Sequence, residues 1–202
     1  MLDRRLRTLV DPTLARIAAG LAKSGINADA VTIAGCICGL VGAVLIGFGM
    51  PLAGLAAFLA GRVLDGLDGT IARLTAATDR GGFLDIVCDF LVYAAIPLAF
   101  AYADPASNAL AAAVLLASFL ANGTAFLAYA LMAERRGIAA PSDNKSFHFL
   151  AGLAEGTETI IAFSLFCLFP AAFPILALIF AGVCVVSAGA RIVLGWRLLG
   201  GR

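Results

Sequence analysis

Long apolar stretches, separated by short polar breaks, follow one another from about residue 30 to the end of the chain. A helix needs about 20 mostly apolar residues to cross the hydrocarbon of a bilayer. Proline or glycine stands at the breaks, as is usual where helices end. The pattern predicts six transmembrane helices, over residues 30–49, 52–74, 82–103, 107–132, 149–169 and 171–198.

The first 25 residues follow a different pattern. Leu14, Ile17 and Leu21 recur at roughly helical spacing, while arginines occupy other positions. This is typical of an amphipathic helix that lies in the membrane interface; the alternative is a basic arm that only sets the topology. We therefore divide the chain into an N-terminal interfacial helix, 1–25, and a six-helix transmembrane domain, 26–202.

The composition places the whole chain in the membrane. Apolar residues make up 62% of it and charged residues 13%, whereas soluble domains average about 45–50% and about 25%. The mean hydropathy is +1.00, whereas the formal net charge of +1 is uninformative and only the placement of the charges matters. We predict an all-α integral membrane protein that is surrounded by membrane lipids and has no nucleic-acid partner.

The lysines and arginines are concentrated on one side of this topology. Most of the 14 precede the first span, lie between the second and third or the fourth and fifth, or lie near the end of the chain. The other three loops carry none. Because cytoplasmic loops are enriched in Lys and Arg, we predict that both termini and the turn at 73–81 are cytoplasmic.

Four aspartates lie around that turn, inside two predicted spans: Asp65, Asp68, Asp85 and Asp89. Each costs roughly 2.5–3.5 kcal/mol to place in hydrocarbon. The first two are three residues apart and the last two are four apart, so each pair shares a helix face. Since the helices are antiparallel about the turn, the spacing predicts that the carboxylates meet in two layers below the cytoplasmic surface.

Such a group of hard oxygen ligands suits divalent ions such as Mg²⁺, Mn²⁺ or Ca²⁺. Two-metal sites are common in phosphoryl chemistry because the ions stabilise both the attacking and the leaving oxygen. The alternative is an internal network of ion pairs with Arg62, Arg73 and Arg80. The numbers argue against it, because five acids including Asp79 would face three bases. We therefore predict a metal-binding active site.

The same stretch resembles the signature of the CDP-alcohol phosphatidyltransferase family, and most of all a small bacterial branch of it. That signature is D-x-x-D-G-x-x-A-R, eight residues, then G-x-x-x-D-x-x-x-D. The turn between Arg73 and Gly81 has seven residues here instead of the usual eight. The matching residues are Asp65, Asp68, Gly69, Ala72, Arg73, Gly81, Asp85 and Asp89.

The resemblance implies an enzyme of phospholipid biosynthesis with two divalent ions, Mg²⁺ or Mn²⁺. A CDP-linked lipid, usually CDP-diacylglycerol, would be attacked by an alcohol, and CMP would leave. Asp65 and Asp85 would contact both ions, Asp68 one and Asp89 the other, and Asp89 would be the general base. The implied CDP-binding residues are Asp29, Thr32, Gly69, Ala72, Arg73, Thr78 and Gly81.

The resemblance also implies a multi-pass protein of the bacterial inner membrane that forms a homodimer. Gly35-x-x-x-Gly39 is a motif of helix packing or of dimerisation. The acceptor alcohol is left open: glycerol phosphate, inositol phosphate, serine, choline and another phospholipid all remain. Basic and acidic residues that are candidates for binding it are Arg135, Arg136, Lys145, Glu155, Glu158 and Arg191.

Those six residues have plainer explanations as well. Any cytoplasmic loop is enriched in basic residues, and Glu155 or Glu158 could simply pair with Arg191. For the whole chain, the main competing function is a divalent-metal or cation-coupled transporter, whose pathway also requires acids within the membrane. A transporter needs polar groups near the midplane with access from both sides, whereas the outer halves of the predicted spans carry no charge.

Overall fold

The computed structural model of the protein describes residues 15–137 and 156–200. Every regular element within these ranges is helical. The elements are α1 (15–23), α2 (Ala28–Gly47), α3 (Pro51–Leu74), α4 (Asp79–Ala103), α5 (Pro105–Arg135), α6 (Gly156–Leu168), a 3₁₀ turn (Pro170–Ala172) and α7 (Phe173–Gly200). Helix α2 packs against α3 and α4, and α5 packs against α7.

Local signals in the sequence set the helix ends. Pro51 occupies the first turn of α3, where its missing N–H has no intrahelical role. The Thr78 hydroxyl accepts the N–H of Gly81 at 3.0 Å and caps α4. Asp104 caps α5 by accepting the N–H of Ser107 at 3.2 Å. Hydrogen bonding to Ser107 also lowers the pKa of the Asp104 carboxyl, since it favours the charged form.

Glycines allow α2 and α3 to approach backbone to backbone. A Cβ placed on Gly42 would lie 2.7 Å from the carbonyl oxygen of Gly54, and one on Gly61 would lie 2.7 Å from that of Gly35. A Cβ on Gly39 would meet the side chain of Val92 in α4. The Gly35-x-x-x-Gly39 motif therefore serves helix packing within the chain, one of the two roles that its spacing predicted.

An aromatic core fixes the helices relative to one another. Phe100 of α4 stacks on Phe173 of α7, with ring centroids 4.4 Å apart and 7° between the planes. Phe163 of α6 lies 5.5 Å from Phe58 of α3 and 6.0 Å from Tyr93 of α4. Aromatic pairs of this kind stabilise beyond their buried area. The core thereby holds the middle of α3 and α4 in a fixed rotation.

The described part of α1 packs on α2 and α3. Ala18 is fully buried and joins Val31, Leu67 and Ile71 in a small apolar cluster. Ile17, on another face, is 47% exposed. The predicted interfacial segment is thus helical over 15–23, and residues 1–14 lie outside the described residues.

Within residues 15–137 and 156–200, four helical segments are long and apolar enough to cross a membrane: α2, α4, α5 and 170–200. Helix α3 has 24 residues but carries four charged side chains, and α6 has 13 described residues. The six-span topology therefore stays a prediction. Large apolar side chains face outwards from the bundle, including Leu110, Leu120 and Trp196.

Candidate active site

Helices α3 and α4 bring three carboxylates together. Asp65, Asp68 and Asp85 each offer one oxygen, and these oxygens all lie within 4.8 Å of one another. We call this group the carboxylate trio. Three like charges at this separation, partly removed from water, repel one another unless a cation lies between them. The trio confirms the sequence-based expectation that the spacing directs these side chains towards one point.

Asp68 shows that the trio suits a metal ion. It is 5% exposed, and its Oδ2 has no hydrogen-bond donor among the described residues. A buried acceptor that lacks a partner costs about 1–3 kcal/mol, and more when it is charged. A hard divalent cation coordinated by carboxylate oxygens would remove that deficit. The residues present therefore fit the Mg²⁺ or Mn²⁺ that the signature implies.

The fourth aspartate is placed differently. Asp89 Oδ1 accepts a hydrogen bond from Arg62 Nη1 at 2.5 Å, and its Oδ2 lies 3.5 Å from the Tyr93 hydroxyl. Arg62 also lies 3.6 Å from Asp65 Oδ2. Arg62 Nη1 thus lies between Asp89 and Asp65, which were expected to form one layer, while Asp65 also belongs to the trio. A buried guanidinium needs a counter-charge, and Asp89 on the facing helix supplies it.

Sequence reasoning missed the role of Arg62 and of Tyr93 in holding Asp89. Two signals pointed to them. Arg62 is the one basic residue deep within a predicted span, three positions before Asp65. Tyr93 is four positions after Asp89, so the two share a face of α4. Neither spacing reveals that Arg62 bonds across to α4.

A cavity of about 300 Å³ adjoins the trio on one side, between α2, α3 and α4. One predicted CDP-binding residue, Arg73, is not among the described residues that line this cavity; its guanidinium donates to the Thr70 hydroxyl at 2.9 Å. Arg80, which also lines the cavity, forms an ion pair with Asp29 at 2.5 Å. The predicted CDP-binding residues that line the cavity are Asp29, Thr32, Gly69, Ala72, Thr78 and Gly81.

A second cavity, of about 470 Å³, adjoins the trio on the other side. Asp85 and Asp89 form one part of its lining, and Asn122 and Arg191 form another. Arg191 donates to Asn122 Oδ1 at 2.9 Å and lies over the ring of Phe126 at 5.1 Å. Much of the remaining lining is aliphatic or aromatic.

The other candidates for acceptor binding are not among the described residues that line this cavity. Arg136 donates to the carbonyl oxygen of Leu199 at 2.5 Å, Arg135 is exposed, and Glu158 is half-buried. Lys145 and Glu155 lie outside the described residues.

The chain matches known proteins over most of its length. A model of the CDP-alcohol phosphatidyltransferase family matches residues 26–193. The chain belongs to this family. Inner membrane protein YnjF of Escherichia coli (strain K12) is 44% identical over 200 residues, which cover 98% of this chain and 97% of that protein.

Solved structures share the fold. Phosphatidylinositol phosphate synthase from Mycobacterium tuberculosis with CDP-DAG bound has a TM-score of 0.71 at 23% identity, covering 91% of this chain and 93% of that one. The same enzyme in complex with manganese and citrate has a TM-score of 0.69 at 20% identity, covering 91% and 88%. At these identities the likeness establishes the fold.

Family membership determines the class of reaction. The chain is a CDP-alcohol phosphatidyltransferase, an enzyme of phospholipid biosynthesis that works with divalent metal ions. The alternative of a cation-coupled transporter is not favoured. The carboxylate trio offers the oxygen ligands that hard divalent ions prefer.

Proposed function

We propose that the protein transfers a phosphatidyl group from CDP-diacylglycerol to an alcohol at the junction of its two cavities. One observation carries the proposal: Asp85 lines both cavities. Asp68 lines only the first of them and Asp89 only the second. In a displacement at phosphorus, the attacking oxygen of the acceptor and the leaving CMP lie on opposite sides of the phosphorus atom. Two cavities that meet at Asp85 provide these two sides.

We assign the metal ions to the four aspartates. Asp65, Asp68 and Asp85 would hold one ion, and Asp65 and Asp85 with Asp89 would hold the other. When bound, the ions supply Lewis-acid stabilisation of the diphosphate and increase the acidity of the acceptor hydroxyl. The unpartnered Oδ2 of Asp68 supports this assignment.

The first cavity would take the CDP group. Its glycines permit a phosphate to approach the backbone closely, because they carry no side chain. A Cβ on Gly81 would lie 3.2 Å from the Thr78 hydroxyl and 3.3 Å from Asp29 Oδ1, so this glycine also lets α2 and α4 meet. Arg73, oriented by the Thr70 hydroxyl, would provide a planar fork for phosphate.

The second cavity would take the acceptor, with Asp89 as its base. The acceptor oxygen attacks the phosphatidyl phosphorus and a new P–O bond forms. The bond from that phosphorus to the bridging oxygen breaks, and CMP leaves with the electron pair. Asp89 receives the hydroxyl proton. Arg191, at the far side of the cavity, is suited to orient an anionic acceptor.

The remaining candidates for the acceptor are proposed on their sequence positions alone. Arg135, Arg136 and Lys145 belong to the basic segment after α5, which suits an acceptor phosphate. Glu155 and Glu158 lie at the start of the fifth predicted span, on one face. These assignments depend on the identity of the acceptor.

We also propose the placement of the enzyme in the cell. It would be a homodimer in a bacterial inner membrane, crossing it six times, with both termini and the active site on the cytoplasmic side. The name of the Escherichia coli relative supports the membrane. The distribution of Lys and Arg supports the orientation.

Release of CMP tests the proposed reaction. The purified full chain is incubated with CDP-diacylglycerol, Mg²⁺ or Mn²⁺, and in turn glycerol phosphate, inositol phosphate, serine, choline or a phospholipid alcohol. We expect metal-dependent release with one of these acceptors and none from a folded Asp85→Asn variant. No release with any acceptor from folded, metal-supplied protein would overturn the proposal.

A further inference from the structure

Arg62 is a buried cation that contacts two of the four carboxylates, Asp65 and Asp89. Its side chain is 9% exposed. The guanidinium carbon lies 5.9 Å from the ring of Phe58 and 5.8 Å from that of Tyr93, a separation at which aromatic faces attract a cation. Arg62 bonds to Asp89 at 2.5 Å and lies 3.6 Å from Asp65.

These two carboxylates are shared with the proposed metal sites. Asp65 belongs to both sites, whereas Asp89 belongs to the second alone. Asp89 Oδ1, the oxygen nearest Arg62, is therefore engaged before a second ion arrives. Asp68 and Asp85 form no ion pair with a described arginine or lysine within 4.0 Å.

The guanidinium of Arg62 lacks one hydrogen-bond partner in this position. Its Nε is buried and has no hydrogen-bond partner among the described residues. Charge nevertheless keeps it there, because four carboxylates and one guanidinium leave the cluster three negative charges. A divalent ion competes well for such carboxylates, and the two aromatic rings offer the displaced guanidinium a place next to its present one.

We propose that Arg62 is an internal counter-cation that the second divalent ion must displace from Asp89, so that Arg62 makes the two ions bind in order and with unequal affinity. This inference depends on the proposed function, since it takes the four aspartates as the metal site. Arg62 is then a positioning residue: it holds Asp89 until the second ion binds and releases it for that ion and the acceptor.

The opposite role makes the opposite prediction. Ligating carboxylates are often held by a hydrogen bond from a neighbouring residue, and loss of that bond weakens metal binding. If Arg62 only orients Asp89 in this way, an uncharged side chain at position 62 weakens binding of the second ion. If Arg62 competes for Asp89, the same change strengthens it.

A Mn²⁺ titration distinguishes these two roles of Arg62. The detergent-solubilised full chain is titrated and followed by calorimetry and electron paramagnetic resonance. We expect two binding steps in the unmodified protein, with the spin-coupled Mn²⁺ pair appearing only in the second. Arg62→Met retains an aliphatic chain between Phe58 and Tyr93, and should bind the second ion at least tenfold more tightly. Arg62→Lys keeps the charge and should retain the weak second step.

Arg197→Met is the control, because it removes an arginine that is not among the described residues lining either cavity. Its Mn²⁺ steps should be unchanged. If Arg62→Met does not fold, Arg62→Gln tests the same point. An unchanged or weakened second step in the uncharged variant overturns the inference. If instead Asp68→Asn removes none of the Mn²⁺ binding that the unmodified protein shows, the aspartates are not the metal site. The proposed function then fails together with the inference.

Discussion

The four aspartates differ most in what surrounds each carboxylate. Asp68 is buried, and one of its oxygens lacks a donor among the described residues. Asp89 already has a donor on each oxygen, Arg62 at 2.5 Å and Tyr93 at a longer 3.5 Å. The first environment is that of a metal ligand. The second is that of a carboxylate held beside the acceptor cavity, where our proposal has the second ion displace Arg62 before Asp89 acts as the general base.

This difference predicts the effect of removing one charge at a time. Asp89→Asn should lower turnover by about 10²–10⁴-fold, the usual contribution of a general base, and should change the affinity for CDP-diacylglycerol far less. Asp68→Asn should weaken both. CMP release and direct binding of CDP-diacylglycerol measure the two quantities. Equal losses of binding and turnover in Asp89→Asn would show that Asp89 is only a ligand.

Sequence spacing predicted which residues would face one another, but not which would bond. Helix periodicity directed Asp65, Asp68 and Asp85 to one point. It left Arg62 as only one of three bases that might neutralise an acid. The choice of Asp89 as its partner depends on the rotation of α3 against α4, which the packing of the aromatic core determines. The rotation of one helix against another cannot be predicted from a local sequence pattern.

At the scale of helices, close contact of α2 with α3 holds the donor cavity together. The contact depends on glycines where an added Cβ would lie 2.7 Å from a carbonyl oxygen of the facing helix. Backbone cannot move aside as a flexible side chain can. The two helices carry Asp29, Thr32 and Asp68, so their separation would widen the cavity that these residues line.

Gly42→Ala should therefore destabilise the protein by about 1–3 kcal/mol, the usual cost of overpacking. Gly182→Ala is the control, because a Cβ there meets nothing within 4 Å; it should be neutral or slightly stabilising, since alanine favours helix. Thermal unfolding in the same detergent measures both. Equal stability of the two variants would contradict the account of this interface.

Most helix positions follow from the apolar pattern, while their ends follow from other residues. Helix α4 starts at Asp79 rather than 82 because Thr78 caps it. Helix α5 continues to Arg135, beyond the apolar limit at 132, because a helix can extend past the hydrocarbon. The break near 169 is a 3₁₀ turn at Pro170–Ala172. The apolar pattern predicted where this break lies but not that it is a 3₁₀ turn.

At the scale of the whole molecule, the proposed active site lies where distant parts of the chain meet. Asp85 and Asp89 come from α4, Asn122 from α5, and Arg191 from α7. The signature predicted the donor side, which is built from neighbouring segments. On the acceptor side it contains only Asp85 and Asp89. The meeting of Asn122 and Arg191 there depends on the packing of α5 against α7, two segments far apart in sequence.

The proposed orientation predicts that the two ends of α5 face opposite sides of the membrane. Ala106→Cys and Glu134→Cys place exposed thiols near its ends, in a background with the five native cysteines replaced. In intact spheroplasts a membrane-impermeant maleimide should label the first and spare the second. Lysis should expose both, which controls for reactivity. Labelling of Glu134→Cys alone in intact spheroplasts would contradict the orientation.

The central claim is that Asp65, Asp68 and Asp85 hold a divalent ion within the helix bundle. Diffraction measured at the manganese absorption edge, from crystals of the purified chain grown with Mn²⁺, tests it most directly. We expect an anomalous peak among the three carboxylates, at about 2.0–2.6 Å from one oxygen of each, the range of hard cations. Manganese elsewhere in the molecule, with no peak among these three, would contradict the account.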